Sequence, residues 1–156
     1  MMMNADEIVR SINEATIYNN TAITYIGQGK YRRAMKLLKK ALKIRESVLG
    51  VNHLLTIQVY CGIGNLYQKM KKYKKSYDFF MAGYAAVRIH FDDDTYKDLV
   101  VETVSGANYA YKQMDKNAVD FAEWLIKTVP FEDVSEITRV FLSYVDTSQD
   151  PNKFMY

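Results

Sequence analysis

Residues that break or cross-link helices are scarce in this chain. Its 156 residues hold two prolines, and none precedes Pro130, so most of the length is open to uninterrupted helix. An apolar content of 49% is too high, and seven glycines with two prolines too few, for a disordered chain. A single cysteine, Cys61, excludes an internal disulfide framework and fits a reducing, cytoplasmic compartment. Long apolar runs are missing too. The longest, Phe79 to Val87, ends at Arg88, well short of the roughly 20 residues that span a bilayer. Met1 to Glu14 carries Asp6, Glu7 and Glu14 and no apolar core, so it does not read as a secretory signal. The expectation is one soluble globular domain over residues 1–145.

What the chain does have is an internal echo. Shifted by 42 residues, Tyr18 falls on Tyr60, Tyr25 on Tyr67 and Tyr109, and Lys30-Tyr31 on Lys72-Tyr73. Small residues recur in the same register at Ala22, Gly64 and Gly106, and at Ala34, Ser76 and Ala118. Bulky ones recur at Leu38 and Phe80, with Ala122 a weaker third. Seven of the 13 tyrosines sit on this period, more than chance arranges.

Each unit reads as two helices. Tyr18, Thr21/Ala22 and Tyr25 have helical spacing, as do Ala34, Leu37/Leu38, Ala41 and Ile44, with the turn signal Gly27-Gln28-Gly29-Lys30 between them. Small residues at the contact let antiparallel backbones approach while a large side chain of the partner helix fills the space. Ser11, His53 and Thr95 stand one period apart; Ser11-x-x-Glu14 and Thr95-x-x-Asp98 match capping boxes, and Asn52 is a better cap than His53. First helices are therefore expected near 11, 53 and 95, with Asn4–Arg10 available to extend the first by a turn or two. After Pro130, Val134, Ile137, Val140/Phe141 and Tyr144 form one stripe, which predicts a closing helix over 131–145. The remainder, 146–156, has no periodicity and reads as a mobile tail.

These residues resemble the tetratricopeptide repeat (TPR), and the 42-residue period resembles its kinesin-light-chain-type subclass. Tyr18-Asn19-Asn20, Tyr25, Gly27-Gln28-Gly29-Lys30-Tyr31, Ala34, Leu38, Ala41-Leu42, Arg45-Glu46 and Leu49-Gly50-x-Asn52-His53 carry the likeness. It covers about 11–128, as units 11–50, 53–91 and 95–128; the third departs from the pattern at Asp115 and Ala122. The resemblance implies an all-α fold: a right-handed α-α superhelix of three TPR helix pairs plus a C-terminal capping helix. It further implies a non-catalytic scaffold that binds a partner peptide or helix in a concave groove. Carried over position by position, the groove residues are Thr16, Asn19, Ile23 and Gly27; Gln58, Cys61, Asn65 and Lys69; and Val100, Thr103, Ala107 and Tyr111. Asn19 and Asn65 stand out, because amides bond a peptide backbone in either sense. A carboxylate clamp needs lysine and arginine where this chain has Asn19, Gly62, Val100 and Val104, so gripping a chaperone tail is disfavoured.

The net charge of +3 conceals segregation: residues 1–29 carry −2, 30–75 carry +12 and 76–156 carry −7. Lys36, Lys39, Lys40 and Lys43 share one helix face, and Arg32/Arg33 are repeat equivalents of Lys74/Lys75. Arg32, Arg33, Lys36, Lys40, Lys74 and Lys75 thus form an expected basic edge. A solvated face is the default reading, and an edge steering an acidic protein partner is the functional one. Nucleic acid is disfavoured, because the aromatics are committed to core positions rather than free to stack on bases. Self-association of basic and acidic halves is a further reading, as is a structural subunit of a larger assembly.

Catalytic signals are nearly absent, so the chain is not expected to be an enzyme. His53 and His90 have no cysteine or histidine at metal-ligand spacing. Asp92-Asp93-Asp94 lacks the glycine and final glutamate of a calcium loop and reads as acids placed before a helix start. No phosphate-cradling loop appears, and no cofactor, metal or membrane partner is expected.

Overall fold

The computed structural model describes residues 2–114; the expected second helix of the third unit, the closing helix 131–145 and the tail 146–156 lie outside the described residues. Within them run α1 (Ala5–Gly27), α2 (Tyr31–Leu49), α3 (Leu54–Lys69), α4 (Tyr73–Val87) and α5 (Lys97–Met114), with 3₁₀ turns at Arg88–His90 and Asp94–Tyr96. No strand occurs among the described residues. The helices pair in chain order, α1 with α2 and α3 with α4, and α5 packs on α4, as an all-α helical repeat requires.

The helix starts differ from the sequence expectation in ways that local hydrogen bonding explains. α1 is capped by Asn4, whose Oδ1 accepts the Glu7 amide at 2.9 Å while Glu7 Oε2 accepts the Asn4 amide at 3.3 Å. That capping box realises the anticipated extension and leaves Ser11 inside the helix. At α3 the cap is His53 rather than Asn52, with Nδ1 accepting the Leu55 amide at 3.0 Å. At the third unit Asp93 accepts the Thr95 amide at 3.0 Å, so the Thr95–Asp98 box does not form and α5 starts at Lys97. That amide bond holds the Asp93 carboxyl below its ordinary range.

The turns inside the two hairpins, α1–α2 and α3–α4, are the same motif. Lys30 N–H donates to Tyr25 O and Gly29 N–H to Ile26 O; one period later Lys72 N–H donates to Tyr67 O and Lys71 N–H to Gln68 O. The motif needs a left-handed residue, which Gly29 supplies at φ 75° and Lys71 at φ 58°. A lysine there costs about 1–2 kcal/mol that a glycine avoids.

Two core clusters alternate along the stack. Ala22, Ala34, Met35, Leu38, Val59, Ile63, Leu66 and Tyr67 join the first hairpin to α3. Ile57, Cys61, Phe80, Tyr84, Val87, Leu99, Val100, Val104 and Ala107 join the second hairpin to α5. The small residues read from the period sit where the backbones come closest. A Cβ added at Gly64 would lie 2.8 Å from the Phe80 ring, and one at Gly106 would come closer still to its other edge. Ser76, fully buried, donates its hydroxyl to Gly64 O at 2.8 Å, tying α4 to α3 at the same place. Connections are stitched as well: Arg45 donates to Leu55 O at 3.1 Å, and His90 bonds Asn52 O at 2.8 Å while stacking on Tyr96 at 3.8 Å.

Candidate interaction surfaces

The first helices of the units turn one side away from α2 and α4. On α3 that inner side carries Gln58, Asn65 and Lys69, all exposed, with Gly62 between them, where an added Cβ would meet open space. These are i, i+4, i+7 and i+11, a single stripe. Cys61, expected in the groove, is one residue off the stripe and 1% exposed. It packs near Gly83 in the core, and burial together with the nearby Glu102 carboxylate holds its thiol well above the ordinary range.

α5 departs further from the expectation. Val100, Thr103, Val104 and Ala107 are buried, whereas α3 buries Val59, Ile63, Leu66 and Tyr67, the equivalents of Val101, Ser105, Asn108 and Tyr109. The two helices still share part of their buried face: Ile57 and Cys61 of α3 and their equivalents Leu99 and Thr103 of α5 are all buried. Composition supplies the cause of the difference. Glu102 and Ser105 stand where the second unit has Tyr60 and Ile63, and a carboxylate and a serine are costly to bury. Thr103 is buried like its repeat equivalent Cys61, its hydroxyl satisfied by Leu99 O at 2.8 Å and Val100 O at 2.9 Å, so it is core and not groove. Tyr111 is half-buried, its ring 5.8 Å from that of Tyr77 on α4.

Asp98, Glu102, Ser105 and Tyr109 are the exposed stripe of α5 in consequence. Asn65 Nδ2 donates to Glu102 Oε1 at 3.1 Å, and Gln68 Nε2 donates to Gly106 O at 3.1 Å, so two amides span the α3–α5 seam. Glu102 was not singled out from the sequence; its displacement of a repeat tyrosine is the signal that could have found it. Partial burial raises its carboxyl above the ordinary range and Asp98 adds to this, while the Asn65 bond opposes it. On α1, Thr16, Ile23 and Gly27 are exposed and Asn19 is half-buried.

The basic residues lie where their spacing puts them on α2 and α4, and Arg32, Arg33, Lys36, Lys40, Lys74 and Lys75 are all exposed. Several rest on tyrosines. Arg33 lies 6.0 Å from the Tyr25 ring centre, and its repeat equivalent Lys75 lies 5.7 Å from that of Tyr67, which Lys39 also approaches at 5.7 Å. Lys40 sits over Tyr18, and Lys74 over Tyr77 with an ion pair to Asp78 at 2.8 Å. Each exposed cation–ring contact contributes about 0.5–1 kcal/mol, so the periodic bases brace the hairpins.

Between α1 and α2 the first hairpin bears an open depression of about 380 Å³ lined by Ile17, Tyr18, Thr21, Tyr25, Arg33, Lys36, Leu37 and Lys40. Among the described residues no group of three or more His, Cys, Asp or Glu is placed to hold a metal, and no helix is long and apolar enough to cross a membrane. The profile of the family described as Tetratricopeptide repeat matches residues 11–88. No curated protein matches the chain.

Proposed function

The chain belongs to the tetratricopeptide-repeat family, whose members generally mediate protein–protein interactions, and from that premise we propose that it binds an extended or helical segment of a partner protein along the inner side of α1, α3 and α5. The observation that carries the reading is the Asn65–Glu102 pair. Two polar side chains on neighbouring first helices, each exposed, offer amide and carboxylate groups to a peptide backbone laid across them. Gln58 and Lys69 continue that polar row, and Ile23 adds an exposed apolar contact that is 58% accessible. The lysines and arginines of α2 and α4 supply a positive field that favours an acidic flank on the partner and speeds encounter at low salt. A scaffold role in the cytoplasm goes with this reading, since the lone thiol suits a reducing compartment.

The test is affinity capture from the native lysate after nuclease treatment, comparing the wild-type chain with Gln58→Ala/Asn65→Ala. Both side chains are exposed, so the variant should unfold at the wild-type temperature while the captured protein is depleted. Equal capture by the variant would move the site off the inner side. Loss of capture on nuclease treatment would assign the basic region to nucleic acid instead.

A further inference from the structure

We propose that the depression on the first hairpin is a second docking site, distinct from the inner side, and that its occupant is an acidic amphipathic helix of a partner protein. The molecule itself shows what covers such a surface. Ile17, Thr21 and Tyr25 of α1 are one period from Val59, Ile63 and Tyr67 of α3, and Leu37 is one period from Phe79. In the second unit Val59, Ile63 and Tyr67 are buried in the cluster that contains Met35 and Leu38 of α2. A helix presenting apolar side chains at i and i+3 therefore fits this surface. In the first unit the same positions stay open: Ile17 is 63% exposed, and Thr21, Tyr25 and Leu37 are only half-buried.

Charge decides which helix. The rim of the depression carries Arg33, Lys36 and Lys40. Arg33 and Lys40 are held beside the pocket tyrosines, at 6.0 Å from the Tyr25 ring centre and 5.6 Å from that of Tyr18. The acid at the margin, Glu14, accepts the Tyr18 hydroxyl at 2.8 Å. Another lysine-rich helix like α2 would meet these cations with its own, and two copies of this chain meeting face to face would oppose three cations to three. A helix with acidic residues flanking its apolar stripe buries Ile17 and neutralises the rim in one step.

The probe is a labelled 19-residue peptide with the α2 sequence Tyr31–Leu49 in which Lys36, Lys39, Lys40 and Lys43 are each replaced by glutamate; the unaltered α2 peptide is the control. Anisotropy titration against the full chain should show binding of the acidic peptide that weakens severalfold between low and high salt, and much weaker binding of the control. Ile17→Asp, a change at an exposed position that leaves the core intact, should weaken the acidic peptide by about tenfold or more. Gln58→Ala/Asn65→Ala should leave it unchanged, which separates this site from the inner side. No binding of the acidic peptide, binding indifferent to Ile17→Asp, or equal binding of the control overturns the proposal. So does sedimentation showing a wild-type dimer that Ile17→Asp dissociates, because the occupant is then a second copy.

Discussion

Phe80 is gripped between two glycines, and this arrangement sets a ranking of alanine substitutions that runs against helix propensity. In an exposed helix interior, Gly→Ala stabilises by about 1 kcal/mol. Gly62 meets that condition: it lies within α3, and a Cβ built there finds nothing within 4 Å. Gly62→Ala should therefore gain about 0.5–1 kcal/mol. At Gly64 the new Cβ lies 2.8 Å from two carbons of the Phe80 ring, against the roughly 3.5–4.0 Å at which carbon atoms pack. The ring cannot simply retreat, because its opposite edge already abuts Gly106 and the side chain is fully buried. Overpacking of this kind costs about 1–3 kcal/mol. After the propensity gain, Gly64→Ala should lose up to about 2 kcal/mol, and Gly106→Ala, where the clash is tighter, should sit at the upper end or beyond.

Urea unfolding of the three variants measures this directly, provided the slope against denaturant stays constant. The separation between Gly62→Ala and Gly106→Ala should be about 2–3 kcal/mol. A smaller ring substitute supplies the internal control. Phe80→Leu alone leaves space and destabilises, but added to Gly106→Ala it removes the clash, so the double variant should lose about 1 kcal/mol less than the sum of the singles. Equal stabilities for Gly62→Ala and Gly106→Ala, or strict additivity with Phe80→Leu, would refute the close packing of α4 against α3 and α5.

Two further outcomes follow from the inner side and the core. Glu102 has a raised carboxyl pKa in the folded chain, so the folded state binds its proton more tightly than the unfolded state, and stability is lost as pH rises from 4.5 through the raised value. Glu102→Gln keeps the Oε1 acceptor for Asn65; its unfolding midpoint should exceed wild type at pH 7 and converge with it below pH 4.5, and a gap equal at both pH values would deny the carboxylate that role. Cys61 should react with a thiol-specific aromatic disulfide reagent slowly in the native protein and stoichiometrically in urea, since its sulfur is buried and its thiolate disfavoured; fast native reaction would return it to the surface.

The repeat was legible because it is written in size. Gly64, Gly106, Ala34 and Phe80 are small or large for reasons of backbone approach, and backbone approach is what a helical stack is made of. The turns were legible for the same kind of reason, although Lys71 performs with strain what Gly29 performs freely. Caps were less so. Asn4, His53 and Asp93 each offer an acceptor to an amide two or three residues ahead, and the periodic positions Ser11, Asn52 and Thr95 offered competing ones. Choosing between them depends on where tertiary packing starts each helix, which spacing alone does not contain.

Side-chain facing was the hardest part to read, and its failure is informative. A repeat assigns equivalent residues to equivalent faces only while the equivalents have similar burial costs. Cys61 and Thr103, one period apart, met that condition and are both core; Val100 and Ala107, apolar where the second unit has Gln58 and Asn65, failed it in one direction, and Glu102 and Ser105, polar where that unit has Tyr60 and Ile63, failed it in the other. Both differences meet on α5, where Val100 and Ala107 are buried while Glu102 is exposed and accepts the Asn65 side-chain amide at 3.1 Å. Glu102, standing where the second unit has Tyr60, thus gives the exposed sides of α3 and α5 a cross-helix bond between an amide and a carboxylate. In a stack of near-identical hairpins, chemical individuality on the exposed side arises where a polar residue replaces an apolar or aromatic one at an interface position, and among the described residues α5 is where that exchange is visible.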